Sequence, residues 1–142
     1  MKKLIFILPI AIALFSCKKT GCTDPNADNY SSENKKDDKS CMYSAPVIFW
    51  MDTITAQNLN AAGFSTVNIK VEGNLVGQIK TNRVCYSSPD CTDTCVYKTQ
   101  IGLAAQTSQK VSYTFTNTSD GSIGSGNIEL QAGSCNIIEV NY

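Results

Sequence analysis

The chain reads as an all-β protein: about seven strands in a Greek-key or transthyretin-like sandwich, preceded by a small disulfide-closed loop module. Three observations carry that expectation. From Ser44 onward, short apolar or alternating runs are separated by turn residues, the texture of sandwich strands. Cysteine is plentiful while histidine is absent. One polar segment, residues 21–43, is bracketed by cysteines and nearly devoid of apolar side chains.

Residues 1–16 carry the marks of an export signal. Lys2 and Lys3 make a positive start, and residues 4–15 form a twelve-residue apolar run. A bilayer-spanning helix needs about 20 apolar residues, so this run is too short to persist as a span. Pro9 interrupts it further. Its size and flanks are those of a secretory signal peptide. The run closes on Leu14-Phe15-Ser16-Cys17, which resembles the lipobox of bacterial lipoproteins, with Phe15 where a small residue is usual. The resemblance implies cleavage before Cys17, a thioether-linked lipid on its sulfur, and residues 17–20 as a lipidated tether. Several acyl chains, at about 0.8 kcal/mol per buried methylene, would hold the protein at a membrane. The competing reading is a soluble secreted chain with Cys17 in a disulfide. In some lipoproteins an acidic residue after the cysteine steers sorting. Lys18 and Lys19 stand there instead, and by that resemblance the protein belongs at the outer membrane, on its periplasmic or its surface side.

The cysteines are seven: Cys17, Cys22, Cys41, Cys85, Cys91, Cys95 and Cys135. Setting Cys17 aside leaves an even set in an exported chain, which points to a disulfide framework. A zinc site is disfavoured, because there is no histidine and no two CxxC pairs. The formal net charge is zero and falls to about −2 without Lys2 and Lys3. No polybasic run is present, so no nucleic acid is expected as a partner.

Residues 21–43 cannot order themselves by apolar burial. Between Cys22 and Cys41 only Ala27 and Tyr30 offer apolar surface of any size. A Cys22–Cys41 bond closing about 20 residues would contribute roughly 3 kcal/mol by loop entropy. Asp24, Asn26 and Asp28 alternate as oxygen ligands do at the start of a calcium loop. The EF-hand pattern then fails, with Asn29 where glycine is needed and Lys35 where the bidentate Glu belongs. Asp37 and Asp38 could complete a different calcium cage. Otherwise this is a solvated polar loop with Asp24-Pro25 and Asn29 as turn formers. The segment resembles a repeat of exported Bacteroidota proteins, GCTDPxAxNYxxxAxxDDGSCxY. Gly21-Cys22-Thr23-Asp24-Pro25, Ala27, Asn29-Tyr30, Asp37-Asp38, Ser40-Cys41 and Tyr43 carry the likeness. Lys39 replaces its glycine, and the repeat implies no settled activity.

Residues 44–142 supply the sandwich. Val47-Ile48-Phe49-Trp50-Met51 is a continuous apolar run, suited to a strand covered on both faces. Residues 56–62 suit a helical turn ended by Gly63. Val67, Ile69 and Val71 alternate with Asn68 and Lys70. A hairpin into residues 75–80 follows. A two-residue turn would oppose Val67 to Lys80, whereas a three-residue loop Glu72-Gly73-Asn74, with Asn74 left-handed, matches Val71 to Leu75 and Val67 to Ile79. The second is favoured. Later strands are expected over 95–101, 110–116, 125–130 and 136–142, with Val111, Tyr113 and Phe115 on one face and Ile138, Val140 and Tyr142 on another. This part also resembles small β-domains of Bacteroidota lipoproteins, through Phe49-Trp50, the Cys91/Cys95 loop and Gly133-Ser134-Cys135. That likeness implies Cys91–Cys95 as a local staple and Cys85–Cys135 as a long bridge. The other two pairings of these four cysteines remain open.

The absence of histidine excludes Ser-His-Asp, Cys-His and histidine–metal chemistry. A carboxylate pair of the glycosidase kind is the remaining enzymatic route, drawn from Asp52, Asp90, Asp93 and Asp120 in loops. Glu72, Glu129 and Glu139 alternate with apolar residues and read as solvated strand positions. No catalysis and no cofactor other than possible calcium are expected. A non-catalytic binding or adhesion module fits better, with Arg83 and Tyr86 on a cysteine-rich loop as contacts for an envelope glycan or protein. A structural subunit of an envelope complex is the alternative. Asp52-Thr53-Ile54 resembles the O-glycosylation site of exported Bacteroidota proteins, which would place a glycan on Thr53.

Overall fold

The computed structural model describes residues 18–142, so Cys17 and the apolar run before it lie outside the described residues. The elements are β1 (Tyr43–Trp50), α1 (Thr53–Ala61), β2 (Thr66–Val71), β3 (Asn74–Lys80), β4 (Tyr97–Ala104), β5 (Ser108–Thr116), β6 (Ser122–Gln131) and β7 (Asn136–Glu139). They form an all-β sandwich. One sheet has the order β4-β1-β7, the other β3-β2-β5-β6. The chain changes sheet after β1, β3, β4 and β6, so each long connection crosses an end of the sandwich.

β1 explains its own sequence. It is the central strand of its sheet, antiparallel to β4 and parallel to β7. Val47 and Phe49 face the other sheet and enter the main core with Val67, Ile69, Ile79, Val111, Phe115, Leu130 and Ile138. Phe49 meets Phe115 edge-on at a centroid distance of 6.1 Å. Ile48 and Trp50 face the opposite way and are equally buried, under Cys85 and Val96. Full burial of such a side chain contributes about 1.5–3 kcal/mol. The unbroken apolar run is therefore the mark of two cores on one strand.

The β2–β3 hairpin corrects one expectation. Away from the turn, Val67 lies opposite Ile79 and Ile69 opposite Gly77, as the favoured register requires. The register then shifts between Ile69 and Lys70, pairing Lys70 with Leu75 and Val71 with Asn74. The turn is thus the two residues Glu72-Gly73, at φ 48° and 78°, and Asn74 is not left-handed. Both central residues of a primed two-residue turn take positive φ, which glycine supplies freely and glutamate does not. Glu72 is held there by its neighbour strand. Its backbone N–H donates to Ser112 O at 3.0 Å, and its carboxylate accepts from the Ser112 N–H. The extra residue in the bulge turns Leu75 outward, leaving it 58% exposed rather than in the core. Glu72 is a turn residue, not a solvated strand position.

The remaining elements differ in extent. β4 starts two residues later than expected and runs to Ala104, and β7 stops at Glu139, although Val140 still donates its N–H to Trp50 O at 2.7 Å. Val140 is buried, but Tyr142 is half exposed and packs edge-on against Phe64. The expected helical turn is a nine-residue helix beginning at Thr53, with Asp52 as its N-cap: the carboxylate accepts from Thr55 N–H at 2.7 Å. At Gly77 the Tyr97 ring lies where any Cβ would go, only 2.0 Å away. That close approach lets Tyr97 donate to Val76 O at 2.7 Å and tie the edge of one sheet to the edge of the other.

Candidate functional site

Residues 81–96 connect β3 to β4 and hold four features together: two cystines, an exposed aromatic, a braced arginine and the lid of the second core. The cystines are Cys85–Cys95 and Cys91–Cys135, with Cα separations of 5.4 and 5.8 Å. This corrects the expectation of Cys91–Cys95 with Cys85–Cys135. The reason lies in what the loop covers. Cys85 donates its N–H to Met51 O at 3.0 Å and is buried against Ile48 and Trp50. Val96 fills the same small core, so Cys95 beside it is brought to Cys85. Cys91 instead folds down over the sheet. Asn136 pairs with Val47 in the β1–β7 ladder, which puts Cys135 next to that place. Cys22–Cys41 forms as expected, with a Cα separation of 4.7 Å.

The loop is braced by its own hydrogen bonds. Arg83 Nη2 donates to Thr94 O at 2.7 Å, across the Cys85–Cys95 ring. Asp90 Oδ1 accepts from Thr92 N–H and Oγ–H, while the Asp90 N–H donates to Asp93 Oδ2 at 2.9 Å. The Thr92 side-chain and backbone bonds hold the Asp90 carboxyl below its ordinary value. Lys98 donates from β4 to Cys91 O at 2.7 Å. Tyr86 has no part in this bracing and is 90% exposed. Beside the loop a groove of about 280 Å³ runs along the outer face of β1 and β4, lined by Pro46, Ile48, Cys91, Lys98 and Gln100. Ile137, paired with Ile48 on the far side of β1, is 40% exposed.

The loop acids each have a local structural partner. Asp52 caps α1, Asp120 forms an ion pair with Lys70 at 2.8 Å, and Asp90 and Asp93 meet each other only as turn formers. Thr53 opens α1 and is half-buried, beside the exposed Ile54.

The module places its candidate calcium ligands on its own backbone and on the sandwich. Asp24 Oδ1 accepts from both nitrogens of Asn26, and its Oδ2 accepts from the Tyr43 hydroxyl at 2.7 Å. The Tyr43 bond is the main cause of the lowered Asp24 pKa. Asp28 accepts from Ser44 Oγ, Asp37 from Lys39 N–H and Asp38 from Ser40 N–H. Among the described residues, no group of three or more His, Cys, Asp or Glu side chains comes together to hold a metal ion. Sequence reasoning missed Asn136, a buried amide. It donates to Pro46 O, Gln131 O and Ser134 O and accepts from Gln131 N–H, so it knots the turn that carries Cys135 to the start of β1. The only available signal was an asparagine directly after Gly133-Ser134-Cys135, a turn-forming pattern.

No family model, no curated protein and no solved structure matches the chain.

Proposed function

We propose that the chain is a lipid-anchored protein of a bacterial outer membrane, tethered through Cys17, whose sandwich is a non-catalytic binding module presenting residues 81–96. The observation that carries the reading is Tyr86: a 90% exposed aromatic ring on a loop held by two cystines. A solvated tyrosine of this kind stabilises nothing in the fold. Its ring suits stacking on a sugar or a partner side chain, and the braced loop has little conformational entropy left to lose on binding. Arg83 on the same loop, and the groove that the loop's Cys91 shares with Pro46 and Ile48, would add to the contact.

The test is capture of envelope glycans and proteins by the native chain, by Tyr86→Ala and by Arg83→Ala. The reading expects capture by the native chain and at least a tenfold loss with Tyr86→Ala at unchanged thermal stability. Equal capture by native and variant chains would sink it. Intact mass of the membrane-extracted protein reports the lipid on Cys17 separately.

A second reading, a structural subunit of an envelope complex, is favoured by β6. This ten-residue edge strand contains neither lysine nor proline, two of the devices that keep edges from pairing. A stable complex in cross-linked membranes without glycan affinity would favour it.

A further inference from the structure

We infer that the lysines at the entry to the module form a basic foot that binds the anionic phosphates of lipid headgroups and fixes how the protein stands on its membrane. The inference rests on the reading that Cys17 carries the lipid.

In the sequence, Lys18-Lys19 and Lys35-Lys36 are separate dipeptides with glutamate and aspartate between them. The fold joins them. Lys35 donates its N–H to Lys19 O at 2.9 Å, Gly21 donates to Lys36 O at 3.1 Å, and Thr20 and Lys36 form a parallel bridge. Lys18, Lys19, Lys35 and Lys36 are all exposed. Asp24 and Asp28 turn toward the sandwich, onto Tyr43 and Ser44. Asp37 and Asp38, which follow Lys36, accept from the Lys39 and Ser40 N–H groups, while the four lysines meet where the chain enters. Glu33 is their one ion-paired counter-charge among the described residues, bonded to Lys19 at 2.6 Å. With side chains 62% and 71% exposed, that pair is readily exchanged for another anion. Lys35 Nζ also bonds Ser32 O, which engages one of its three donors.

Reach selects the partner. An extended chain covers at most about 3.6 Å per residue, so Thr20 lies within roughly 11 Å of the lipid-bearing residue. Lys35 and Lys36 are hydrogen-bonded beside it. All four ammonium groups can therefore come within about two Debye lengths of a headgroup plane, where anionic lipid attracts each cation. The opposite end of β1 lies about 23 Å away, at about 3.3 Å per residue, and the candidate loop is fastened there through Met51. A foot planted on the bilayer would direct Tyr86 away from it.

The lipidated protein is reconstituted into vesicles of phosphatidylcholine alone, or of phosphatidylcholine with phosphatidylglycerol. Lysines are acetylated briefly and counted by mass spectrometry. The expected result is that Lys18, Lys19, Lys35 and Lys36 label about fivefold more slowly on the anionic vesicles. Protection should vanish in high salt, while Lys80, at the far end of the sandwich, labels alike on both. Lys35→Glu with Lys36→Glu should abolish the protection of Lys18 and Lys19 without detaching the protein. Equal labelling on the two vesicles overturns the foot while leaving the anchor intact. Protection of Lys18 and Lys19 that survives the double variant also overturns it, since the tether would then act alone. A protein that attaches to neither vesicle and bears an unmodified Cys17 overturns the anchor, and the foot with it.

Discussion

Two cystine-bearing segments flank the sandwich, and they hold their shape by different means. The module at residues 21–42 buries little besides Cys22 and Ala27. Its order comes from side chains bonded to nearby backbone, as at Asp24, Asp37 and Asp38, and from one cystine. Residues 81–96 use the same turn chemistry at Asp90, but they also cover Ile48 and Trp50. Turn bonds exchange with water at little net gain, about 1 kcal/mol each, whereas apolar burial does not. The module therefore depends on its disulfide, and the crossover loop is only reinforced by its two.

The largest effect that would break this comparison is at the second core. Trp50→Ala should destabilise the sandwich by about 3–5 kcal/mol, read as a shifted denaturation midpoint. It should also expose residues 81–96 to protease with both cystines intact. A loss under about 1 kcal/mol would mean that the disulfides alone hold the loop.

Removing disulfides sharpens the contrast. Cys22→Ser with Cys41→Ser gives up roughly 3 kcal/mol of loop restraint. Cleavage should then appear within residues 23–40, while the sandwich keeps its midpoint. Cys91→Ser with Cys135→Ser instead lowers the midpoint of the whole sandwich, by about 2–4 kcal/mol, because its loop spans β4, β5 and β6. Equal effects of the two double variants on the midpoint would show that the module and sandwich unfold together.

The smallest effect concerns the join between them. Tyr43 donates to Asp24, and that bond lowers the Asp24 pKa from its ordinary 3.8. A lowered folded-state pKa contributes stability that is complete above the ordinary value and is lost as pH falls through the folded one. Acid loosening of the module should therefore begin below pH 3.8 in the native chain. Tyr43→Phe should move the Asp24 titration upward toward that value, loosen the module already at neutral pH and flatten the acid-dependent part of the loosening, read by carboxyl NMR and proteolysis. An unchanged Asp24 titration would show that Asn26 alone sets it.

Patterns confined to one strand were legible in the sequence. The two-faced burial of β1 and the inward Val67, Ile69 and Val71 show in the spacing of apolar residues within a strand, and the Cys22–Cys41 ring in the polar segment that its two cysteines bracket. The position of Leu75 was not, because a bulge two residues past a turn changes side-chain direction without changing the apolar pattern. The cystine pairing around residues 85–135 was not legible either. It depends on β7 lying parallel to β1, a contact between chain segments almost ninety residues apart. α1 begins earlier than the helical turn expected over 56–62: residues 53–55 are Thr, Ile and Thr, weak helix formers that hide its first turn. At the candidate site the exposed Tyr86 was foreseen, whereas the bracing of Arg83 by Thr94 and the amide knot at Asn136 needed the folded chain.

β1 begins where the disulfide-closed module joins the sandwich and ends where the crossover loop is fastened. A pull between Lys18 and Tyr86 would run lengthwise along that strand. Such a load shears the ladders to β4 and β7 together instead of peeling them rung by rung. The Cys22–Cys41 bond keeps residues 23–40 from reeling out as slack. Mechanically, the molecule is a rigid strut along β1, not a spring.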